Sequence, residues 1–246
     1  MSELYPSESQ RLNILQHLEE LRRRILRVLA VFVCLTAVSF AFGPQVFEWT
    51  TYPLRHLPGR LIFISPMEGF TAYMQVSLLA GFLATFPFLL YQAWRFLAPA
   101  FTPDFGGRIL LWLLLSLVLF AGGVVFSYAV LLPAAFDFLI GFGSRLAAPQ
   151  ITLGSYIAFF VFLVLSGGLV FQIPVVLGFL GDTGLVSAAV LRSKRPHAWI
   201  LMLVIAAVIT PTQDIFNLLL FSIPMIFLYE CGILLAGWSR TKGRGT

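Results

Sequence analysis

Two glutamates and three arginines crowd the point where this chain turns apolar. Glu19 and Glu20 are followed by Arg22, Arg23 and Arg24, and a largely apolar run opens at Ile25. On a helix this spacing sets Glu19 beside Arg23 and Glu20 beside Arg24, at i and i+4 in the favourable order. Ile14, Leu18, Leu21 and Ile25 recur along one helical stripe of the same segment. The chemistry on offer is charge recognition. A carboxylate can take a guanidinium through two parallel hydrogen bonds, a geometry that an ammonium does not reproduce. Spacing alone leaves two readings open. Either the acids only pair with arginines of their own helix at a membrane border, or one of them receives a guanidinium from outside.

Two more polar residues stand inside apolar runs, Gln172 and Glu230. Polar groups at membrane depth usually face protein or water, which makes both of them functional candidates. The plainer reading of Gln172 is that it caps a carbonyl freed near Pro174. Glu68 and Asp214 fall at run ends, on the rim opposite Glu20. The residue inventory speaks against an enzyme. There is no Gly-rich phosphate loop ending in Gly-Lys-Ser/Thr. His17, His56 and His197 all lie outside the apolar runs, so no intramembrane Ser-His pair is available. Cys34 and Cys231 sit within apolar runs without metal-ligand spacing and read as small buried hydrophobes. No cofactor or metal is expected.

The elements that must position these groups follow from composition. The chain is 59% hydrophobic and 11% charged, with mean hydropathy +0.91. Soluble domains carry about 25% charged residues, so this chain has too little polar surface to face water all round. Apolar runs cover 25–42, 70–94, 109–132, 157–180, 198–209 and 215–236. A spanning helix needs ~20 residues to cross ~30 Å of hydrocarbon. The run 198–209 is shorter than that and turns back at Thr210-Pro211-Thr212-Gln213-Asp214. Thirteen of the sixteen Lys and Arg residues fall on one side of the resulting topology, and only Arg55, Arg60 and Arg145 on the other. The positive-inside rule then puts both termini in the cytoplasm. With its basic residues confined to the segments between spans, the net charge of +5 does not indicate nucleic-acid binding.

The expected fold is all-α and polytopic. One membrane domain covers 1–246. A cytoplasmic amphipathic helix over 8–24 precedes six transmembrane helices, the fifth and sixth short, and a cytoplasmic tail covers 237–246. Pro87, Pro174 and Pro224 lie inside runs and bend helices. Such bends suit a curved, concave wall.

The order of short motifs resembles the TatC family, the core subunit of the twin-arginine protein translocase. His17-Leu18-Glu19-Glu20-Leu21-Arg22 is similar to its opening signature. Ser65-Pro66-Met67-Glu68, the stretch from Pro87 through Trp94-Arg95-Phe96-Leu97 to Ala100, Phe171-Gln172-Ile173-Pro174, Lys194-Arg195-Pro196, Thr210-Pro211 and Tyr229-Glu230 follow in family order.

The resemblance implies a receptor in the cytoplasmic membrane for the twin-arginine signal peptides of folded proteins. It implies that Glu20 meets the paired arginines, with Arg22, Phe96 and Leu97 in the same site and Asp104 as the second acid. It also implies recruitment of single-span TatA- and TatB-type subunits near Thr210 and Asn217, transport drawing on the protonmotive force, and a homo-oligomeric receptor complex in lipid. The alternative is a small-molecule secondary transporter. That function needs a polar midplane site and usually an internal repeat, and this sequence offers little beyond Gln172 and Glu230.

Overall fold

In a computed structural model, which describes residues 8–53, 61–101, 106–143, 150–209 and 215–242, the chain is helical almost throughout. The helices are α1 (Glu8–Ala41), α2 (Gly43–Thr51), α3 (Pro66–Phe101), α4 (Gly106–Phe126), α5 (Leu132–Gly143), α6 (Leu153–Val170), α7 (Ile173–Asp182), α8 (Ala188–Ser193), α9 (Arg195–Ile209) and α10 (Ile215–Lys242). Among the described residues, five stretches are long and apolar enough to cross a membrane: Gln16–Ala41, Pro66–Leu97, Ile109–Gly141, Leu153–Asp182 and Leu218–Trp238. A sixth apolar helix, Arg195–Val208, is shorter. The polytopic all-α architecture expected from the runs is therefore the one found. Of the two spans expected to be short, α9 is, at 15 residues, whereas α10 has 28.

The amphipathic segment and the first span form one unbroken helix, α1, of 34 residues. At 1.5 Å per residue it is ~51 Å long, so its charged N-terminal half extends beyond a ~30 Å hydrocarbon core.

The prolines act in three ways. Pro87 sits within continuous α3, and Pro224 within continuous α10. Pro174 opens α7 directly after a two-residue break at Phe171 and Gln172. Pro133, which the run assignment places just past the end of the third span, ends nothing. The helix passes through it to Gly143 by way of a π-helical stretch, Ser127–Leu131. Proline lacks an N–H and its ring presses on the carbonyl four residues back. Widening the preceding turn relieves that contact. The Leu132 N–H accordingly donates to the Ser127 carbonyl, five residues back.

Packing runs in a line. α1 lies mainly on α3, α3 on α4 and α6, α4 on α6 and α7, α7 on α10, and α10 on α9. Glycines let α6 lie close against α4 and the π-helical stretch that follows it. A Cβ on Gly123 would lie 2.5 Å from the Gly167 carbonyl oxygen, and one on Gly167 would lie 1.7 Å from the Ser127 Oγ. Two apolar cores result. The larger joins α3, α6 and α10 around Tyr156, Leu163 and Met225. The smaller is aromatic and joins α3, α4 and α7 through Phe86, Trp94, Trp112, Phe120 and Phe179.

On the rim opposite Glu20, the Tyr156 hydroxyl donates to the Thr50 carbonyl at 2.6 Å and the Tyr128 hydroxyl to the Trp49 carbonyl at 2.8 Å, which ties α2 to α6 and to the π-helical turn. Two backbone bonds bridge Ile62 to the 151–153 strip, with Ile62 N–H donating to the Ile151 carbonyl at 3.1 Å and Leu153 N–H to the Ile62 carbonyl at 2.7 Å.

Candidate functional site at the α1–α3 border

The site stands where the charged half of α1 meets the last turns of α3. Both expected ion pairs form. Glu19 pairs with Arg23 at 3.2 Å, with both side chains 63% exposed. Glu20 is held more elaborately. Arg24 Nε donates to its Oε1 at 3.1 Å, and Arg24 Nη2 donates to the same oxygen. The third nitrogen, Nη1, reaches across to α3, 3.3 Å from the Gln92 carbonyl oxygen and 3.4 Å from Gln92 Oε1. Arg24 is thus only 13% exposed, while Glu20 keeps 48% of its side chain open to solvent.

Phe96 closes the same corner. The His17 ring stacks on it with centroids 4.3 Å apart, and the Arg24 guanidinium carbon lies 6.0 Å from its ring centre. The His17 Nδ1 is 3.9 Å from the second Glu20 oxygen. Leu97 is the next residue along α3 and is 36% exposed. Arg22 is exposed on α1.

The hydrogen bonds from Arg24, with lesser help from the charges of His17 and Arg23, hold the Glu20 carboxyl below the ordinary carboxylate value. Glu20 lies in the charged N-terminal part of α1, five residues before the apolar run that opens at Ile25. It stays ionised there, ready to accept donors.

The α3 end of the site is anchored by the aromatic core. Trp94 Nε1 donates to Ser116 Oγ at 3.1 Å, and Trp112 Nε1 donates to Asp182 Oδ2 at 3.2 Å. The buried Trp94 indole, bonded to Ser116 on α4, sets the rotation of α3, which aims Gln92 and Phe96 at α1, while the Trp112 indole ties α4 to α7.

Most of the other residues singled out lie elsewhere. Gln172 Nε2 donates to the Ser116 carbonyl on α4 at 3.0 Å, so its amide serves a neighbouring helix and not the carbonyl freed at Pro174. Glu230 on α10 accepts from Arg195 Nη2 at the start of α9, while its Oε1 and Arg195 Nε are buried without a hydrogen-bond partner. Glu68 Oε2 accepts the Ile64 N–H at 3.2 Å in the first turn of α3, on the rim opposite Glu20. Asp104, Thr210 and Asp214 lie outside the described residues, and so does the side chain of Asn217, which is placed only by its position on α10.

Sequence reasoning missed Gln92 and the bridging role of Arg24. The signal for Gln92 was present, since it is as polar and as enclosed in an apolar run as Gln172.

Fold and site together define a polytopic helical membrane protein with a cluster of charged side chains where α1 meets the end of α3. A family model described as Sec-independent protein translocase protein (TatC) matches residues 16–224. The chain belongs to the TatC family and is a non-enzymatic component of a membrane protein translocase.

Its relatives include the Sec-independent protein translocase protein TatC of Koribacter versatilis, 34% identical over 95% of this chain and 88% of that one. The corresponding protein of Aquifex aeolicus is 35% identical over 92% of this chain and 95% of that one. TatCd of Bacillus subtilis is 33% identical over 94% of this chain and 93% of that one. Among solved structures, the crystal structure titled as the twin arginine translocase receptor TatC superposes with a TM-score of 0.81 at 34% identity, covering 91% of this chain and 99% of that one. The same receptor in the detergent DDM gives 0.82 at 36% identity, covering 89% and 99%.

Proposed function

We propose that this chain is the receptor subunit of a twin-arginine translocase in the cytoplasmic membrane, with both termini in the cytoplasm. It recognises the arginine pair of signal peptides on folded proteins at Glu20, with Arg22, Phe96, Leu97 and Asp104 in the same site. TatA- and TatB-type single-span subunits dock at the α9–α10 hairpin near Thr210 and Asn217. Gln172 and Glu230 are the polar groups of the membrane-embedded face, and Glu68 and Asp214 mark the opposite rim. Several copies assemble into a receptor complex in lipid, and the protonmotive force drives transport.

One observation carries this reading. Glu20 already holds a guanidinium through two nitrogens, in a half-open site floored by an aromatic ring. An arginine from outside can take the same bonds by exchange, and an incoming lysine cannot match their geometry. The positive-inside pattern of Lys and Arg supports a cytoplasmic orientation of this border.

The test is crosslinking of the membrane-embedded protein to two synthetic signal peptides, one with an arginine pair and one with a lysine pair. Capture of the arginine peptide alone, clearly lowered in Glu20→Gln, supports the proposal. Equal capture of both peptides, or full capture by Glu20→Gln, refutes it.

A further inference from the structure

On the rim opposite Glu20, the end of α2 and the π-helical stretch Ser127–Leu131 border an open pocket of about 460 Å³. Glu48, Trp49, Tyr52 and Tyr128 line it. The volume falls within the ~300–1,000 Å³ of small-ligand sites.

We infer that this pocket holds the ammonium group of a phospholipid headgroup. The inference goes beyond the receptor reading and does not depend on Glu20.

Three observations point to this occupant. The first is depth. The apolar stretch of the first span ends at Ala41, and α2 begins two residues later at Gly43. Tyr128 lies nineteen residues after Ile109, where another membrane-crossing stretch opens. At 1.5 Å per residue that is about 28 Å, close to the ~30 Å of the hydrocarbon core. Both walls of the pocket therefore stand at the level of the headgroups.

The second is charge. Aromatic rings carry a negative face and hold cations within ~6 Å of their centres, tryptophan most strongly. Three rings and the Glu48 carboxylate share one lining, so a cation is favoured and a phosphate meets like charge. At headgroup level the cation on offer is a lipid ammonium.

The third is rigidity. The Tyr128 hydroxyl donates to the Trp49 carbonyl at 2.8 Å, and the Tyr156 hydroxyl donates to the Thr50 carbonyl at 2.6 Å. Thr50 is buried, whereas Trp49 is 75% exposed and Tyr52 54% exposed. The backbone is thus pinned while two large rings stand open. Trp and Tyr are common at membrane borders as single anchors. An anchor requires neither a carboxylate among the rings nor a pinned wall, and a ligand site uses both.

The test is native mass spectrometry of the full chain in an uncharged polyoxyethylene detergent. Phosphatidylethanolamine and phosphatidylglycerol with the same acyl chains are added separately. Only the first carries an ammonium, and the second reports lipid held elsewhere on the chain. The variants are Glu48→Gln, Trp49→Leu and Trp49→Phe. Both side chains are exposed, and the Trp49 carbonyl that anchors α2 survives the changes. Retention of phosphatidylethanolamine should fall at least about threefold in Glu48→Gln and in Trp49→Leu, and stay near the parent level in Trp49→Phe, which keeps a ring. Retention of phosphatidylglycerol should be the same in all four proteins.

Unchanged retention of phosphatidylethanolamine in Glu48→Gln and Trp49→Leu makes the rings ordinary membrane anchors and overturns the inference. A loss in only one of the two overturns the joint action of ring and carboxylate. A parallel loss of phosphatidylglycerol shows that phosphate or tails were held, which also overturns it. The same losses with a glucosyl diacylglycerol, which bears no ammonium, make the pocket a sugar site and overturn it as well. Retention seen only after Arg55 and Arg60 are changed to glutamine assigns the pocket to the chain's own cations and sinks the lipid reading.

Discussion

Arg24 on α1 and Gln92 on α3 are 68 positions apart, and the Arg24 Nη1 lies 3.3 Å from the Gln92 carbonyl oxygen. The same guanidinium grips Glu20 one turn back along α1. One side chain therefore sets the carboxylate and fastens the first span to the second. The ion pair at Glu20 and this α1–α3 contact share one side chain.

Glu20→Gln should weaken capture of a twin-arginine peptide without unfolding the protein. A charge-assisted hydrogen bond is worth ~1.5–3 kcal/mol. Glu20 is 48% exposed, so solvent screening lowers the figure. A loss of about 1 kcal/mol, roughly fivefold in affinity, is expected. Titration of a fluorescent peptide against purified protein measures it, with thermal unfolding as the control. Affinity equal to that of the parent chain would refute the role of Glu20.

Arg24→Gln should act in the opposite direction on capture. In the resting protein an incoming arginine has to displace Arg24. A partly exposed ion pair contributes ~0.2–1 kcal/mol, so removing the competitor should tighten binding by up to about fivefold. The α1–α3 tie through Gln92 is lost with it, and cleavage of α1 by added protease should become faster. Weaker peptide binding in Arg24→Gln would show that Arg24 contacts the ligand directly and does not compete with it.

Capture should also be flat across neutral and mildly acidic pH. Hydrogen bonds from Arg24 depress the Glu20 value. A depressed carboxylate contributes its ion pair above the ordinary value and loses it only as pH falls through the lowered one. The ordinary glutamate value is about 4.3, so binding should hold from about pH 8 to about pH 5 and fail below the usual carboxylate range. A binding midpoint near pH 6 would mean that another group governs the site.

The sequence was legible where physical chemistry is local. The i, i+4 pairs of α1 form as spacing predicts, because helix geometry alone decides them. The apolar runs locate the spans, because hydrocarbon thickness sets their length. Contacts between distant helices were not legible. Nothing in the order of residues says that Arg24 passes Glu20 to reach Gln92, or that Gln172 serves the Ser116 carbonyl.

The pairing of Arg195 with Glu230 could have been found. Arg195 lies fourteen residues before the end of α9, and Glu230 fifteen after the start of α10, so the two stand at one height when the helices lie antiparallel. The continuation of the third span past Pro133 was not legible in the run 109–132, because a π-helical turn can carry a helix through a proline.

Gly167→Ala should destabilise the α4–α6 crossing, since the new Cβ would lie 1.7 Å from the Ser127 Oγ and 3.1 Å from the Gly123 carbonyl oxygen. Overpacking of this kind costs about 1–3 kcal/mol. Ser127 Oγ is buried without a hydrogen-bond partner, so Ser127→Ala alone should be neutral or mildly stabilising. The double variant should recover part of the loss, because the nearest clashing atom is gone. Thermal melts of the four proteins in one detergent measure this. A Gly167→Ala protein as stable as its parent, or a double variant no better than Gly167→Ala, would contradict the contact.

The α9–α10 hairpin should stop short of the membrane surface opposite Glu20. α9 has 15 residues. At 1.5 Å each it spans about 22 Å, against ~30 Å of hydrocarbon. α10 starts at Ile215, six residues after the end of α9, and packs on it, so on the proposed topology its extra length extends away from the hairpin tip. The missing length of about 8 Å must be met by thinning of the bilayer, by water or by a partner helix. Thinning would lower the barrier to a folded passenger at the point where single-span subunits are proposed to dock. Spin labels at Thr212, outside the described residues, and at Gln45 on α2 would measure the two depths in vesicles. Thr212 should report a position deeper than Gln45, closer to the bilayer centre, and become shallower when the bilayer is made of shorter lipids. Equal exposure of both labels at the level of an undisturbed surface would show that the hairpin reaches across, and the thinning argument would fail.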